Sequence, residues 1–199
     1  LRRHIPEDAH VFVRDITSGL PMLSVMGPKS RELLQMVSPA DFSNEAFPFG
    51  TSQEIDLGYA RVRASRLTYV GELGWELYMP TEFATHVFDR LIEAGQSLGL
   101  RQAGYFALNS LRMEKGYRHW GHDIGEEATP LQAGLGFAVA FDKIGGFLGR
   151  DALLRQKEQG GPDRKLVQLM IDVPDAPLLY HHEPIWRGNK IVGSVTSGA

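Results

Sequence analysis

A stretch of twelve residues limits the possible folds of this chain more than any other segment. It reads Y-V-G-E-L-G-W-E-L-Y-M-P and covers residues 69–80. Its second half follows a period of two, which predicts a β-strand with one face in a core. Three side chains fall on the predicted core face: Trp75, Leu77 and Met79. Glu76 and Tyr78 fall on the opposite face.

The position of Glu76 beside aromatic residues allows two interpretations. A carboxylate next to aromatic rings suits a flat heterocycle with two adjacent N–H donors, because its oxygens accept two parallel hydrogen bonds. The simpler interpretation is a hairpin in which Glu72 and Glu76 are solvated, as most carboxylates are. The pattern alone favours the solvated hairpin.

The composition excludes several classes of protein. The 199 residues suffice for one large domain or for one and a half ordinary ones, and a hydrophobic fraction of 43% is typical of a soluble globular protein. The net charge of −3 gives no reason to expect nucleic acid or an anionic membrane as a partner. Cysteine is absent, which excludes disulfides, thiolate metal sites and cysteine nucleophiles. No run approaches the roughly 20 apolar residues that cross a bilayer.

Hydrophobic periodicity predicts an α+β fold. Strands are predicted at 19–26, at 54–64 with a bulge after Gly58, at 66–70, from Trp75, and at 134–141, 165–173, 183–186 and 191–197. Helices are predicted at 28–37, at 81–98 with Thr81 as N-cap and Gly99 as terminator, at 103–115 with Tyr105, Leu108 and Leu111 in the core, and at 151–159. The segment 187–190 is predicted to be a hairpin turn.

The clearest linker is the run Q-G-G-P at 159–162. It separates a mixed region, residues 1–160, from an all-strand region, residues 163–199. The chain opens without Met and closes inside an apparent strand, which would leave a ladder unpaired. We therefore expect it to be a fragment of a longer polypeptide.

The loop after the third predicted helix carries the densest group of titratable side chains. The run H-W-G-H-D at 119–123 could bind a metal, but Gly121 makes a regular helix unfavourable, and a loop that packs Trp120 and hydrogen-bonds its histidines is favoured. Arg112 could clamp a carboxylate of a ligand. It could equally pair with Glu114 or Asp123 and hold the loop, and this structural role is favoured.

Motifs for nucleophilic catalysis and nucleotide binding are not recognisable. Ser110 and Ser197 lie in neither a G-x-S-x-G elbow nor an S-x-x-K motif. The chain contains no G-x-G-x-x-G run and no P-loop.

Six motifs taken together resemble one family. They are G-P-K-S-R-E-L-L (27–34), the stretch 69–80, A-G-Y-F-A-L-N-S-L-R-M-E-K-G-Y-R-H-W-G-H-D (103–123), T-P-L-Q-A-G-L (129–135), F-L-G-R-D-A-L (147–153) and I-V-G-S-V-T-S-G (191–198). In this order they resemble the glycine-cleavage T-protein (aminomethyltransferase) superfamily, and most of all the C-terminal folate region of sarcosine and dimethylglycine dehydrogenases. The resemblance implies antiparallel sheets with packed helices over 1–160, the N-terminal part missing, and the beginning of a small β-barrel domain over 163–199.

The resemblance also implies a tetrahydrofolate site. Its implied contacts are Tyr69, Glu76, Leu77 and Tyr78. Arg112 and Trp120 are expected to support the same pocket, and no metal is expected. The catalytic aspartate of the family is expected upstream of residue 1, in a motif to which neither Asp8 nor Asp15 belongs. The fragment alone is therefore expected to be inactive.

For the full-length protein, the resemblance implies an FAD-dependent enzyme with the flavin in a missing N-terminal domain. FAD would oxidise an N-methyl amine, sarcosine or dimethylglycine, and the folate domain would capture the one-carbon unit as methylenetetrahydrofolate. Two alternatives are a free-standing aminomethyltransferase of the glycine cleavage system and a non-catalytic regulatory subunit related to these dehydrogenases. The expected location is a bacterial cytoplasm or the mitochondrial matrix, and no targeting signal is recognisable in these residues.

Overall fold

The computed structural model describes residues 2–173 and 175–198, which form two compact units, Leu1–Gln102 and Ala103–Ala199. The first unit contains β1 (Met22–Met26), α1 (Ser30–Val37), β2 (Ser52–Leu57), β3 (Ala60–Ser65), β4 (Gly74–Tyr78) and α2 (Ala84–Gly95). Short 3₁₀ turns lie at Arg2–His4, Thr17–Gly19, Thr81–Phe83 and Gln96–Leu98. The predicted α+β class is confirmed.

The four strands of the first unit form one antiparallel sheet in the order β1-β4-β3-β2. Because side chains alternate along each strand, this register gives the sheet one apolar face and one polar face. Trp75, Leu77 and Met79 are fully buried, as the alternation predicts, and Glu76 and Tyr78 are half-buried on the other side.

The apolar face of the sheet packs against α1 and α2. The core contains 15 buried residues: Leu33, Leu34, Val37, Phe42, Phe47, Ile55, Leu57, Ala60, Val62, Ala64, Trp75, Leu77, Met79, Val87 and Leu91. The Trp75 ring lies 5.4 Å from the Phe42 ring, edge to face. Full burial of a large apolar side chain contributes about 1.5–3 kcal/mol, so this cluster fixes the position of β4.

Residues 54–64 form a hairpin and not the single bulged strand predicted from the sequence. β2 and β3 pair from Ser52↔Ser65 to Leu57↔Ala60, and Gly58 and Tyr59 form the turn between them. Gly58 has φ +58, a conformation that glycine adopts without steric cost. Apolar and polar residues alternate in both β2 and β3, so the sequence pattern could not distinguish a bulge within one strand from a turn between two.

Two further expectations for the first unit are wrong. No strand covers residues 66–70, because pairing with the neighbouring backbone ends where the Arg66 N–H donates to the Thr51 carbonyl, at 2.9 Å. Thr81 does not cap α2, since its hydroxyl donates to the Ser18 carbonyl at 3.0 Å and a 3₁₀ turn precedes the helix. The α-helix ends earlier than predicted, at Gly95, and a 3₁₀ turn at Gln96–Leu98 follows it. Gly99, with φ +77, ends that turn.

The second unit contains α3 (Tyr105–Glu114), a 3₁₀ turn (Gly136–Ala138), α4 (Arg150–Glu158), β5 (Pro184–Arg187) and β6 (Lys190–Ser194). β5 and β6 form a two-stranded antiparallel sheet. The two predicted helices and the predicted hairpin are confirmed. The turn is shorter than expected, because Arg187 pairs with Lys190 and only Gly188 and Asn189 lie between them.

Other predictions for the second unit are wrong. Residues 134–141 form no strand but the 3₁₀ turn, and residues 165–173 form no strand either. Both segments are apolar enough to be buried strands, but a strand also requires a partner strand for its backbone. In 165–173, the Leu166 N–H donates instead to the carbonyl of Gln132, which lies in a loop. Tyr105 and Leu111 are exposed and do not belong to a core. The linker at 159–162 as a domain boundary stays a prediction.

Within the described residues, none of the helices has the length and apolar character needed to span a membrane.

Candidate functional site

The polar face of β4 carries a hydrogen-bonded pair. The Tyr78 hydroxyl donates to Glu76 Oε2 at 2.6 Å, and both side chains are half-buried. The bond to Glu76 raises the pKa of Tyr78 to about 12, with burial and the negative charge of Glu76 adding to the effect. The phenol therefore stays protonated at neutral pH and keeps donating to the carboxylate.

Serine hydroxyls flank Glu76 across the sheet. The register places Ser24 of β1 and Ser65 of β3 directly opposite Glu76, so all three side chains share the polar face. Ser65 donates to Ser52 at 3.0 Å, whereas Ser24 donates to the Met22 thioether at 3.3 Å, a weak acceptor. The carboxylate is thus bordered by hydroxyl groups that can accept hydrogen bonds or change partner.

The positive charges on this face are already paired. Arg63 lies opposite Tyr78 in the register, and its guanidinium bonds to Glu54 at 3.2 Å. Arg61 pairs with Asp56 at 3.1 Å. Among the residues that the structure describes, Glu76 forms no ion pair, and its carboxylate is stabilised by the hydrogen bond from the neutral Tyr78 hydroxyl.

The remaining predicted contacts of the first unit are placed differently. Leu77 lies in the core, on the face away from Glu76 and Tyr78, so any ligand contact would use its backbone. Tyr69 is half-buried before β4, and its N–H donates to the Met26 thioether at 3.4 Å. The structure brings Glu76 and Tyr78 together, and the ligand roles of all four residues stay predictions.

Arg112 of α3 lies in a polar cluster of the second unit. It is only 2% exposed. Its guanidinium forms an ion pair with Asp123 and donates to the Tyr117 carbonyl at 3.0 Å and to Ser197 Oγ at 2.7 Å. Of the two predicted roles, this geometry matches the structural one, with Asp123 and not Glu114 as the partner.

Asp123 accepts hydrogen bonds from every side. Thr196 Oγ donates at 2.7 Å, Ser197 Oγ at 2.6 Å and the His119 N–H at 2.9 Å. Burial alone would raise the pKa of Asp123, but the bonds from Ser197, Thr196 and His119 and the charge of Arg112 outweigh burial and lower it. Donors of the protein itself occupy the acceptor positions of the Asp123 carboxylate, so this group holds the loop in place and is not a binding group.

The histidine loop does not have the predicted arrangement. Trp120 is 68% exposed, so the prediction that the loop packs this ring is wrong. The His122 ring stacks on the His181 ring at 4.4 Å, and burial with the neighbouring His181 and His119 lowers the pKa of His122 against the pull of Asp123. Within residues 2–173 and 175–198, no group of three or more His, Asp or Glu side chains is arranged to hold a metal.

Sequence reasoning missed the partners in both clusters. Ser24 and Ser65 lie opposite Glu76 because of the sheet register, and the alternation of β1 was the one signal that could have placed Ser24 on the polar face. Ser197 was considered only as a nucleophile, and here it donates to Asp123 and accepts from Arg112.

Comparisons with known proteins agree with the resemblance. The "GCVT N-terminal domain" family matches residues 1–143, and the "Glycine cleavage T-protein C-terminal barrel domain" family matches residues 164–199. A 4-methylaminobutanoate oxidase (formaldehyde-forming) of Paenarthrobacter nicotinovorans is 49% identical over 94% of this chain and 22% of its own length. The mitochondrial sarcosine dehydrogenase of Mus musculus is 45% identical over 91% of this chain and 19% of its own length.

A solved structure shares the fold. The glycine cleavage system aminomethyltransferase T from Bartonella henselae superposes with a TM-score of 0.60 at 27% identity, over 73% of this chain and 38% of that chain. The chain spans about a fifth of the length of the two curated relatives, 22% and 19%. With a family match over residues 1–143 and a second over 164–199, the chain belongs to the glycine cleavage T-protein family.

Proposed function

We propose that this chain binds tetrahydrofolate through Glu76, as the folate part of an FAD-dependent enzyme that resembles sarcosine and dimethylglycine dehydrogenases. The observation that carries the proposal is the half-buried Glu76 carboxylate, held by Tyr78 and flanked by Ser24 and Ser65 on the polar face of the sheet. The names of the relatives, an oxidase and a dehydrogenase of methylated amines, support the class of substrate.

The donor set fits a reduced pterin. A pterin ring carries an amino group next to a ring N–H, and a carboxylate accepts two such parallel bonds. Glu76 uses one of about four lone-pair positions to accept the bond from Tyr78, which leaves enough for the amino group and the ring N–H of the pterin. The neighbouring serine hydroxyls could meet the remaining polar atoms of such a ring.

In this proposal the residues of this chain bind and orient the folate. Positioning of a reactant is itself a large part of catalysis, because it replaces a bimolecular encounter. FAD, when bound elsewhere in the full-length protein, would supply the oxidation of the N-methyl amine. The catalytic carboxylate that the resemblance implies also lies outside these residues in the proposal.

A free-standing aminomethyltransferase is the second candidate. The fold shared with the Bartonella henselae aminomethyltransferase supports it, and that candidate would use the same folate site. Steady-state oxidation assays on the full-length protein, with sarcosine and dimethylglycine, distinguish the candidates, since only the dehydrogenase reduces a flavin.

The test of the folate site is an equilibrium titration with folinic acid, a stable reduced folate. We expect Glu76→Gln to weaken binding by about 1.5–3 kcal/mol, the usual contribution of a hydrogen bond to a charged group. The matched control is Asp56→Asn, which changes an exposed carboxylate on the same sheet face that is paired with Arg61, and it should alter binding by less than about 0.5 kcal/mol.

Equal affinity in the wild type and Glu76→Gln would remove Glu76 from the site. Absence of binding by the folded wild-type chain would contradict folate binding by these residues and would favour the regulatory alternative. Neither result would change the family to which the chain belongs.

A further inference from the structure

We infer that Tyr78 is a positioning residue, which acts on the ligand through Glu76 and donates no hydrogen bond to the ligand itself. The inference rests on the proposed function, because it assigns a role within the same site. It differs from the role implied by the resemblance, in which Tyr78 is one of the ligand contacts.

The first support is the geometry of the pair. The hydroxyl oxygen of Tyr78 lies 2.6 Å from Glu76 Oε2, within the range of strong bonds between a hydroxyl and a carboxylate. A tyrosine hydroxyl has one hydrogen to donate, and this bond uses it. Tyr78 therefore has no donor left for a ligand.

The second support is the difference in stiffness between the two side chains. Glu76 is a long side chain with several rotatable bonds, and it forms no ion pair among the described residues. The side chain of Tyr78 has only two rotatable bonds. It lies on β4, which is held in place by its buried side chains Trp75 and Leu77. The hydrogen bond from Tyr78 restricts rotation of the Glu76 side chain and orients the lone pairs that the carboxylate has free.

The third support is the protonation state of the phenol. The pKa of Tyr78 is raised to about 12, chiefly by the bond to Glu76. The Tyr78 hydroxyl therefore stays protonated throughout the neutral range and keeps donating to Glu76. A ligand with two N–H donors would meet an acceptor that this bond has already oriented.

A double-mutant cycle with folinic acid tests the inference. We expect Tyr78→Phe to weaken binding about 10-fold in the chain that keeps Glu76, the size of one charged hydrogen bond. In a chain that already carries Glu76→Gln, the same change should alter affinity less than about 2-fold, because there is no carboxylate left to orient. Tyr59→Phe is the matched control, since Tyr59 is an exposed tyrosine of the same unit.

A spectroscopic titration examines the pair without any ligand. In ultraviolet difference spectra near pH 11, midway between the ordinary tyrosine pKa and the raised one, Glu76→Gln should show up to about 0.8 of a tyrosine more in the ionised form than the wild type. In a Tyr78→Phe background, Glu76→Gln should no longer change the number of ionised tyrosines.

The outcomes separate the inference from the proposed function. An equal loss from Tyr78→Phe in both backgrounds would mean that Tyr78 touches the ligand directly, and would overturn the inference alone. No loss in either background, or an unchanged phenol titration in Glu76→Gln, would also overturn it. If the wild type binds no folinic acid, the proposed function fails and the inference fails with it.

Discussion

The carboxylates of Glu76 and Asp123 differ in how many of their lone pairs the protein uses. Asp123 accepts bonds from two hydroxyls, one backbone N–H and a guanidinium, all within its own unit. Among the described residues, Glu76 accepts a side-chain bond only from Tyr78, and it is half-buried on the polar face of the sheet. A saturated carboxylate can stabilise a fold but has nothing left for a ligand, so only Glu76 is suited to binding.

Removal of the Asp123 charge should destabilise the second unit strongly. Asp123→Asn leaves the Arg112 guanidinium buried without its counter-ion, and loss of one partner of a buried pair costs about 3–5 kcal/mol. The side chains of Arg112 and Asp123 are 3% and 5% exposed, so solvent does little to screen the remaining charge. Urea denaturation followed by far-ultraviolet circular dichroism measures the loss.

Glu114→Gln is the control for that experiment. Glu114 is an exposed carboxylate on the same helix and is the partner of Arg112 in the alternative pairing. Its removal should change the free energy of unfolding by less than about 0.5 kcal/mol. If both substitutions cost the same, Arg112 and Asp123 are not the pair that fastens the loop.

At the level of single elements, the turn between β2 and β3 depends on Gly58. Gly58 has φ +58, and a Cβ at this position would lie 2.2 Å from His86 Nε2, the atom that accepts the Tyr59 N–H at 3.3 Å. Gly58→Ala should cost about 1–2 kcal/mol for the left-handed backbone and a further amount for displacing His86. Equilibrium unfolding in urea gives the total.

Gly50→Ala separates the two contributions. Gly50 also has a positive φ, +78, but no atom lies within 4 Å of its added Cβ. We expect Gly50→Ala to show the backbone cost alone, and the excess for Gly58→Ala to disappear in a His86→Ala background. Identical costs in the two glycine variants would show that the His86 contact is energetically neutral.

The elements also show how far the sequence determines this fold. β4 and α2 were predictable because their periodicity is local and their apolar faces are continuous. Residues 165–173 have an equally apolar pattern, but a strand needs a partner backbone, which is not encoded in the segment itself. The hydrogen bond from Arg112 to Ser197 joins residues 85 positions apart, and no local sequence pattern reveals such a contact.

The candidate site was predictable to the same degree. Alternation placed Glu76 and Tyr78 on one face, and their bond follows from a spacing of two residues in a strand. Ser24 and Ser65 entered only through the pairing of β1 and β3 with β4. Pairing register is a tertiary property, so the row of hydroxyls that borders the carboxylate could not be derived from the sequence.

At the scale of the whole molecule, apolar burial is unevenly distributed along the chain. Of the 18 buried hydrophobic residues among those the structure describes, 16 lie between Leu33 and Leu91 in the first unit, and only Ala133 and Leu153 lie in the second. In the second unit, every residue of β6 is exposed, and a two-stranded hairpin has little stability of its own. The free energy of local opening should therefore be highest in the four-stranded sheet.

Hydrogen exchange on the full chain should reveal this difference. Amides of β3 and β4, the two strands with a paired strand on each side, should exchange most slowly, and amides of β6 should exchange much faster. Trp75→Ala should accelerate exchange in β3, because loss of a buried tryptophan costs about 3–5 kcal/mol, while Phe49→Ala, an exposed aromatic of the same unit, should not. Equal protection of β3 and β6 would contradict the assignment of the stable core to the first unit, since exchange then would not follow apolar burial.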